Sequence, residues 1–179
     1  LKLPEAPNAS SEKGTAMHEA LANVWKFVKA NNKKDNKNIS PKEIGEIIIK
    51  SVSDYFKNSL LSKHEKEIVL EELIKNAPKV STSLEEHFNQ KGEAKTESWV
   101  ELPFNKKIEN ENVEISIHGR LDATIEQDDK VLVFDYKTKE AMSQNAIMGE
   151  TKSSDDNYFR QLIFYKILLE ENPKFKNKV

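Results

Sequence analysis

Apolar residues recur at helical spacing through the first half of the chain and alternate with polar ones through much of the second. In GTAMHEALANVWKFVKA, Met17, Ala20, Leu21, Val24, Phe27 and Val28 fall three or four apart, which predicts a helix with one face on a core. The polar run NNKKDNKN, residues 31 to 38, predicts a connector. The next segment, SPKEIGEIIIKSVSDYF, opens with Ser40, Pro41 and Glu43: a serine N-cap, a proline at the first helical position, and a glutamate placed to reach back to the cap. Ser62 and Glu65 repeat that device ahead of EIVLEELIKN, and a shorter helix is expected around residues 82 to 90.

From about Ala94 the period changes. AKTESWVELPF alternates and ends at a proline, while VEISIHGRLDATIEQ and KVLVFDYKTK read as stronger strands joined by an Asp128-Asp129 turn. EAMSQNAIMGETKSSDDN reads as a loop, and YFRQLIFYKILLEE as a strongly amphipathic helix. The expected fold class is α/β: a central mixed sheet with an antiparallel hairpin at its core, flanked by helices, after a helical N-terminal half. Residues 1–179 are expected to form a single domain, with 1–93 as a helical lead-in and 94–179 as the strand meander and last helix.

Composition narrows this picture. A chain of 179 residues, 37% hydrophobic and 32% charged, can bury one sizeable core and is too apolar for a disordered tail. It contains no cysteine, which excludes disulfides and thiolate metal sites within it and fits a reducing, cytoplasmic setting. No apolar run approaches the ~20 residues of a membrane span, so no membrane partner is expected. The formal net charge of −2 argues against tight autonomous nucleic-acid binding; nucleic acid would be met at a local site or handed over by a partner. The chain opens at Leu1, not at a methionine, in LKLPEAPNASS, and is expected to be a piece of a larger protein.

The candidate chemistry lies in GRLDATIEQDDKVLVFDYKT, residues 119 to 138. With a two-residue turn at Asp128-Asp129, residues whose numbers sum to 257 face each other across the hairpin. Asp122 and Asp135 then stand opposite on one face, with Cβ atoms roughly 4.5–5.5 Å apart. Lys137 lies two residues further on that face, beside Arg120. Two facing carboxylates repel, and a divalent cation between them removes the cost; hard oxygen ligands suit magnesium or manganese. Spacing alone is equally satisfied by a solvated strand end paired with Arg120 and Lys137. The flanking Leu121, Ala123, Phe134 and Tyr136 favour a site. An ammonium there can orient an attacking water, favour its hydroxide form and offset charge on a pentavalent phosphorus.

These residues carry a resemblance. Gly119 to Asp122, then Asp135 to Thr138, then Gln161 and Tyr165 in RQLIFYK, with Gly14 and His18 upstream in GTAMHEAL, resemble the motif set of the PD-(D/E)XK nuclease superfamily, specifically its RecB-type nuclease domains. The motifs span residues 14 to 165. The resemblance implies a restriction-endonuclease-like fold and metal-dependent hydrolysis of DNA phosphodiester bonds. It further implies an exonuclease-like module working with a helicase or ATPase region of the same polypeptide or complex, in DNA repair and recombination.

Roles follow from motif position. Asp122, Asp135 and Lys137 are the implied catalytic residues. Asp122, Asp135, the main-chain carbonyl of Tyr136 and the imidazole of His18 are the implied ligands of magnesium or manganese. Gln161, Tyr165, Thr138 and Arg120 form the implied substrate-binding and supporting group; Gln161 and Tyr165 stand one helical turn apart on one face. An acidic residue of the first strand, Glu97 or Glu101, is expected to assist. His118 shares a strand face with Asp122 but lies four residues away, too far for the same ion. His64 and His87 are read as residues of charged helix surfaces, and the Lys33-Lys34 and Lys106-Lys107 pairs as solvated loops. Two departures stand out: relatives usually continue past the Gln-x-x-x-Tyr helix with further strands, and many carry a Cys-Pro segment before the histidine helix, of which LKLPE resembles the tail. The competing reading is a catalytically inactive module of this fold, serving DNA binding or scaffolding in a larger protein.

Overall fold

The computed structural model describes residues 8–32, 38–108, 111–138, 142–151, 157–175 and 178. Lys33 and Lys34, with most of the predicted 31–38 connector, lie outside the described residues, as do LKLPE and the side chains of Lys106 and Lys107. The chain divides into two compact units, one of Leu1–Ala94 with Tyr136–Thr138, the other of Lys95–Asp135 with Lys139–Val179.

The first unit is helical, with α1 (Ala9–Asn32), α2 (Pro41–Asn58), α3 (Lys63–Ser83) and the single turn α4 (Glu85–Phe88). Both predicted capping boxes form. Ser40 accepts from the Glu43 amide while its own amide donates to the Glu43 carboxylate at 2.9 Å, and Ser62 and Glu65 do the same. The stripe of α1 is buried at Met17, Ala20, Leu21, Val24 and Val28 against Ile44, Ile48, Val52 and Phe56, but Phe27 faces water and Trp25 takes its place inside. Gly14 lies within α1 and does not open it; a Cβ there would meet Thr138 Oγ1 at an ordinary 3.9 Å.

The second unit holds β1 (Glu93–Ile108), β2 (Glu111–Glu126) and β3 (Val131–Phe134), in the order β1-β2-β3 as an antiparallel meander, with α5 (Gln144–Ile147) and α6 (Asn157–Glu170). Pro103 does not end the first strand. β1 is an edge of the sheet among the described residues, where a missing amide is tolerated. β2 and β3 pair Ala123 with Phe134, Thr124 with Val133, Ile125 with Leu132 and Glu126 with Val131, the expected register. The Gln127 amide donates to the Lys130 carbonyl at 2.9 Å, closing the two-residue turn at Asp128-Asp129.

Helix α6 buries Tyr165, Leu168 and Leu169 with Val100, Leu102 and Leu121 of the sheet. It is less one-sided than its sequence suggests, because Leu162, Ile163 and Ile167 are each more than 40% exposed. Gly119 lies beneath it: a Cβ there would come within 2.8 Å of Leu168 Cδ1 and 3.3 Å of Phe164 Cε1. This close approach accounts for the glycine three residues before Asp122. The fold is therefore the expected mixed α/β class, with a helical N-terminal half and a sheet carrying an antiparallel hairpin, consistent with a restriction-endonuclease-like fold.

Candidate active site

Strand alternation places Arg120 and Asp122 on the face of β2 opposite the buried Leu121. Carboxylate oxygens of Glu97 and Asp122 lie within 4.8 Å of each other there, and Glu97 also takes the Arg120 Nε at 2.5 Å. Glu97 has φ 51°, in the left-handed region, within an extended strand. A non-glycine residue held there costs about 1–3 kcal/mol, and such strain concentrates at functional sites. Of the two candidate acids on the first strand, Glu97 is thus the one beside Asp122; Glu101 instead accepts from the Ser116 hydroxyl.

One register step beyond Ala123 and Phe134 would bring Asp122 and Asp135 level, but the β3 ladder stops at Phe134. Asp135 is held from α6. Gln161 Nε2 donates to its Oδ1 at 3.1 Å and to the Tyr165 hydroxyl at 2.6 Å. That hydroxyl lies 3.4 Å from both the Asp135 Oδ1 and the Arg120 carbonyl. Burial raises the Tyr165 phenol above its usual range, and the charges of Asp135 and Asp122 add to the rise. One phenol therefore feels both carboxylates.

The strand predicted through Lys137 and beyond is shorter because the chain changes allegiance after Asp135: Tyr136 to Thr138 belong with the helical unit. Tyr136 is anchored there at three points. His18 Nε2 donates to its carbonyl oxygen at 2.9 Å, Trp25 Nε1 donates to its hydroxyl at 2.9 Å, and His87 Nε2 lies 2.7 Å from that hydroxyl. Trp25 can only donate, so it fills one acceptor position of that hydroxyl, and the imidazole tautomer decides which of the hydroxyl and His87 Nε2 donates to the other. Burial alone lowers the His87 pKa to about 4. The assignment of His87 to a charged helix surface is thus corrected: its ring is buried against Trp25 and Phe88. Lys137, next in the chain, is exposed, and Thr138 lies beside Gly14.

The sequence profile of the PD-(D/E)XK nuclease superfamily matches residues 1–178. The chain belongs to that superfamily. Comparison with curated proteins finds no match. PD-(D/E)XK proteins are generally nucleases, and those nucleases use divalent metals, so the donors can be tested against such an ion. In the helical unit His18 Nε2 and the Tyr136 carbonyl oxygen meet at 2.9 Å in a hydrogen bond, and both can face a cation once the ring proton sits on Nδ1. In the sheet unit Glu97 and Asp122 offer paired carboxylate oxygens, the donor type that magnesium and manganese prefer. The donors fit a hard divalent cation.

Trp25 and His87 were not legible as part of this arrangement. Each lies more than 45 residues from Tyr136 in the chain, and only the adjacent Phe88 hinted that His87 faces inward. The choice between Glu97 and Glu101 was equally hidden, because both share a strand face.

Proposed function

We propose that this chain is a metal-dependent deoxyribonuclease, hydrolysing DNA phosphodiester bonds with magnesium or manganese. The observation that supports the reading is the hairpin register, whose continuation by one step past its last pairs would set Asp122 level with Asp135. Asp122, Asp135 and the Tyr136 carbonyl would hold the ion, and the sequence motif adds His18 to that set. A bound divalent cation supplies Lewis-acid stabilisation of phosphate charge and eases ionisation of a water. Lys137 orients the attacking water and offsets charge on the phosphorus. Gln161 and Tyr165 keep the Asp135 carboxylate in one orientation. Thr138 and Arg120 support the substrate strand, Arg120 through a side chain that is 65% exposed.

The motif set further supports an exonuclease-like module, residues 1–179, within a cytoplasmic helicase–nuclease of DNA repair and recombination. No helix among the described residues is long and apolar enough to cross a membrane. The test is cleavage of end-labelled oligonucleotides with magnesium or manganese. Lys137→Ala is expected to lower the rate by at least about 100-fold with the fold intact, the scale of a lost general acid–base or electrostatic partner. Cleavage that survives this change removes the mechanism. Absence of cleavage by the unaltered chain, with no manganese binding by calorimetry, leaves an inactive module.

A further inference from the structure

The face of the sheet unit that carries Glu97 and Asp122 continues into an aromatic pair. Trp99 and His118 stack across β1 and β2 with ring centroids 4.5 Å apart and planes 23° from parallel. The side-chain pairs Glu97–Arg120, Trp99–His118 and Glu101–Ser116 step along the two strands in one antiparallel register. The carboxylates, the Arg120 guanidinium and the aromatic pair thus follow one another along a single face.

Trp99 is 61% exposed, unlike Trp25, which is 3% exposed and hydrogen-bonded. A stacked cross-strand pair stabilises a sheet, but that role does not require most of the indole to be left in water. A flat aromatic surface held rigid from beneath is what a nucleobase needs, since every base offers a π-face whatever its sequence. From Asp122 to His118 is four residues of strand, about 13 Å. That is about two to four nucleotides, depending on how far a strand is stretched beyond the 3.4 Å rise of the duplex. Charge supplies a second reason. With a net charge of −2 the chain gains little from the phosphate electrostatics that usually dominate affinity, so a salt-independent contact matters more here.

We propose that Trp99, backed by His118, is a base-stacking platform for single-stranded DNA, a few nucleotides from the phosphate addressed by Asp122. This rests on the nuclease reading above, and it deepens that reading by placing an unpaired base on the sheet. The platform holds the strand by its bases, while Arg120 lies between platform and carboxylates as a donor to the backbone.

The test uses the full chain in EDTA, so that cleavage plays no part. Oligothymidylate of about ten nucleotides is titrated in, with tryptophan fluorescence and the anisotropy of a labelled copy as readouts. Because Trp25 is buried, quenching reports on Trp99. The expected result is quenching on binding, and affinity about 5–100-fold weaker in Trp99→Ala with the slope of affinity against salt unchanged. Trp99→Phe is expected to recover most of the loss. A strand that binds without quenching, with Trp99→Ala binding as tightly, overturns the platform and leaves the nuclease reading standing. A strand that fails to bind the unaltered chain overturns it as well. Quenching without any cleavage once magnesium or manganese is restored would instead sink the nuclease reading.

Discussion

The buried His87 makes the stability of this protein depend on pH in a calculable way. Its ordinary pKa of 6.5 falls to about 4 in the fold because burial disfavours the imidazolium. The sign follows from proton counting. At pH 7 the folded chain does not hold this proton and the unfolded chain holds it only about a quarter of the time. As pH drops through 6.5 the unfolded chain takes it up and the folded chain does not, so the unfolded state gains. The loss grows until about pH 4, below which both states are protonated and it levels off. At pH 4.5 the unfolded chain is almost fully protonated at this position and the folded one about a quarter so, which amounts to roughly 2–3 kcal/mol. For a chain of this size that is a fall of roughly 5–10 °C in Tm. The assay is thermal unfolding at several pH values between 7 and 4.5, on the unaltered chain and on His87→Gln. Carboxylates titrate alike in both, so the difference between the two curves isolates His87. The variant starts from lower stability at pH 7, having lost the imidazole that meets Tyr136, but should lose less on acidification. A difference that stays flat across that range would refute the burial argument.

Two further predictions rest on α6. Gly119→Ala would drive a methyl to 2.8 Å from Leu168, which is fully buried and has nowhere to go, so destabilisation of about 1–3 kcal/mol is expected in urea unfolding. Unchanged stability would mean that α6 does not press on β2 there. Gln161→Ala and Tyr165→Phe each remove part of the support of Asp135 and should weaken manganese binding by about 10–100-fold in calorimetry, the usual cost of losing a partner behind a metal ligand. Binding unaffected by either change would show that Asp135 needs no such support.

What could be read from the sequence is what local chemistry controls. Ser40 and Ser62 announce two helix starts because a capping box is complete within four residues. Asp128-Asp129 sets the hairpin register because a two-residue turn leaves one pairing open, and the strands follow it from Glu126 with Val131 to Ala123 with Phe134, the step before Asp122 and Asp135. Gly119 belongs to a recognisable motif, but its reason, the side chains of Leu168 and Phe164, comes from almost fifty residues away. Distant partners are where the reading ran out. Nothing near Glu97 separates it from Glu101 until the strands pair. Nothing near His87 says that its ring meets the phenol of Tyr136. The apolar run ending at Phe134 gave no sign that the ladder would stop there, since Asp135 and Tyr136 continue the alternation of the strand.

That stop also changes what holds the backbone just before the exposed Lys137. Asp135 and Tyr136 share a peptide bond but answer to different neighbours. The Asp135 carboxylate is held by Gln161 and Tyr165 of α6, while Tyr136 is held at its carbonyl by His18 and at its phenol by Trp25 and His87. Each hydrogen bond contributes only about 0.5–1.5 kcal/mol, which is modest as stability. Their geometric effect is larger, because the anchors on Tyr136 leave few main-chain torsions free before the Lys137 side chain begins. An exposed lysine carries four flexible side-chain torsions of its own, so the backbone is where its position can be controlled. Ladder hydrogen bonds beyond Phe134 would hold that backbone flat along β2; the anchors on Tyr136 hold it to α1 and α4 of its own unit instead. The strand thus ends where the anchors on Tyr136 take over from the ladder.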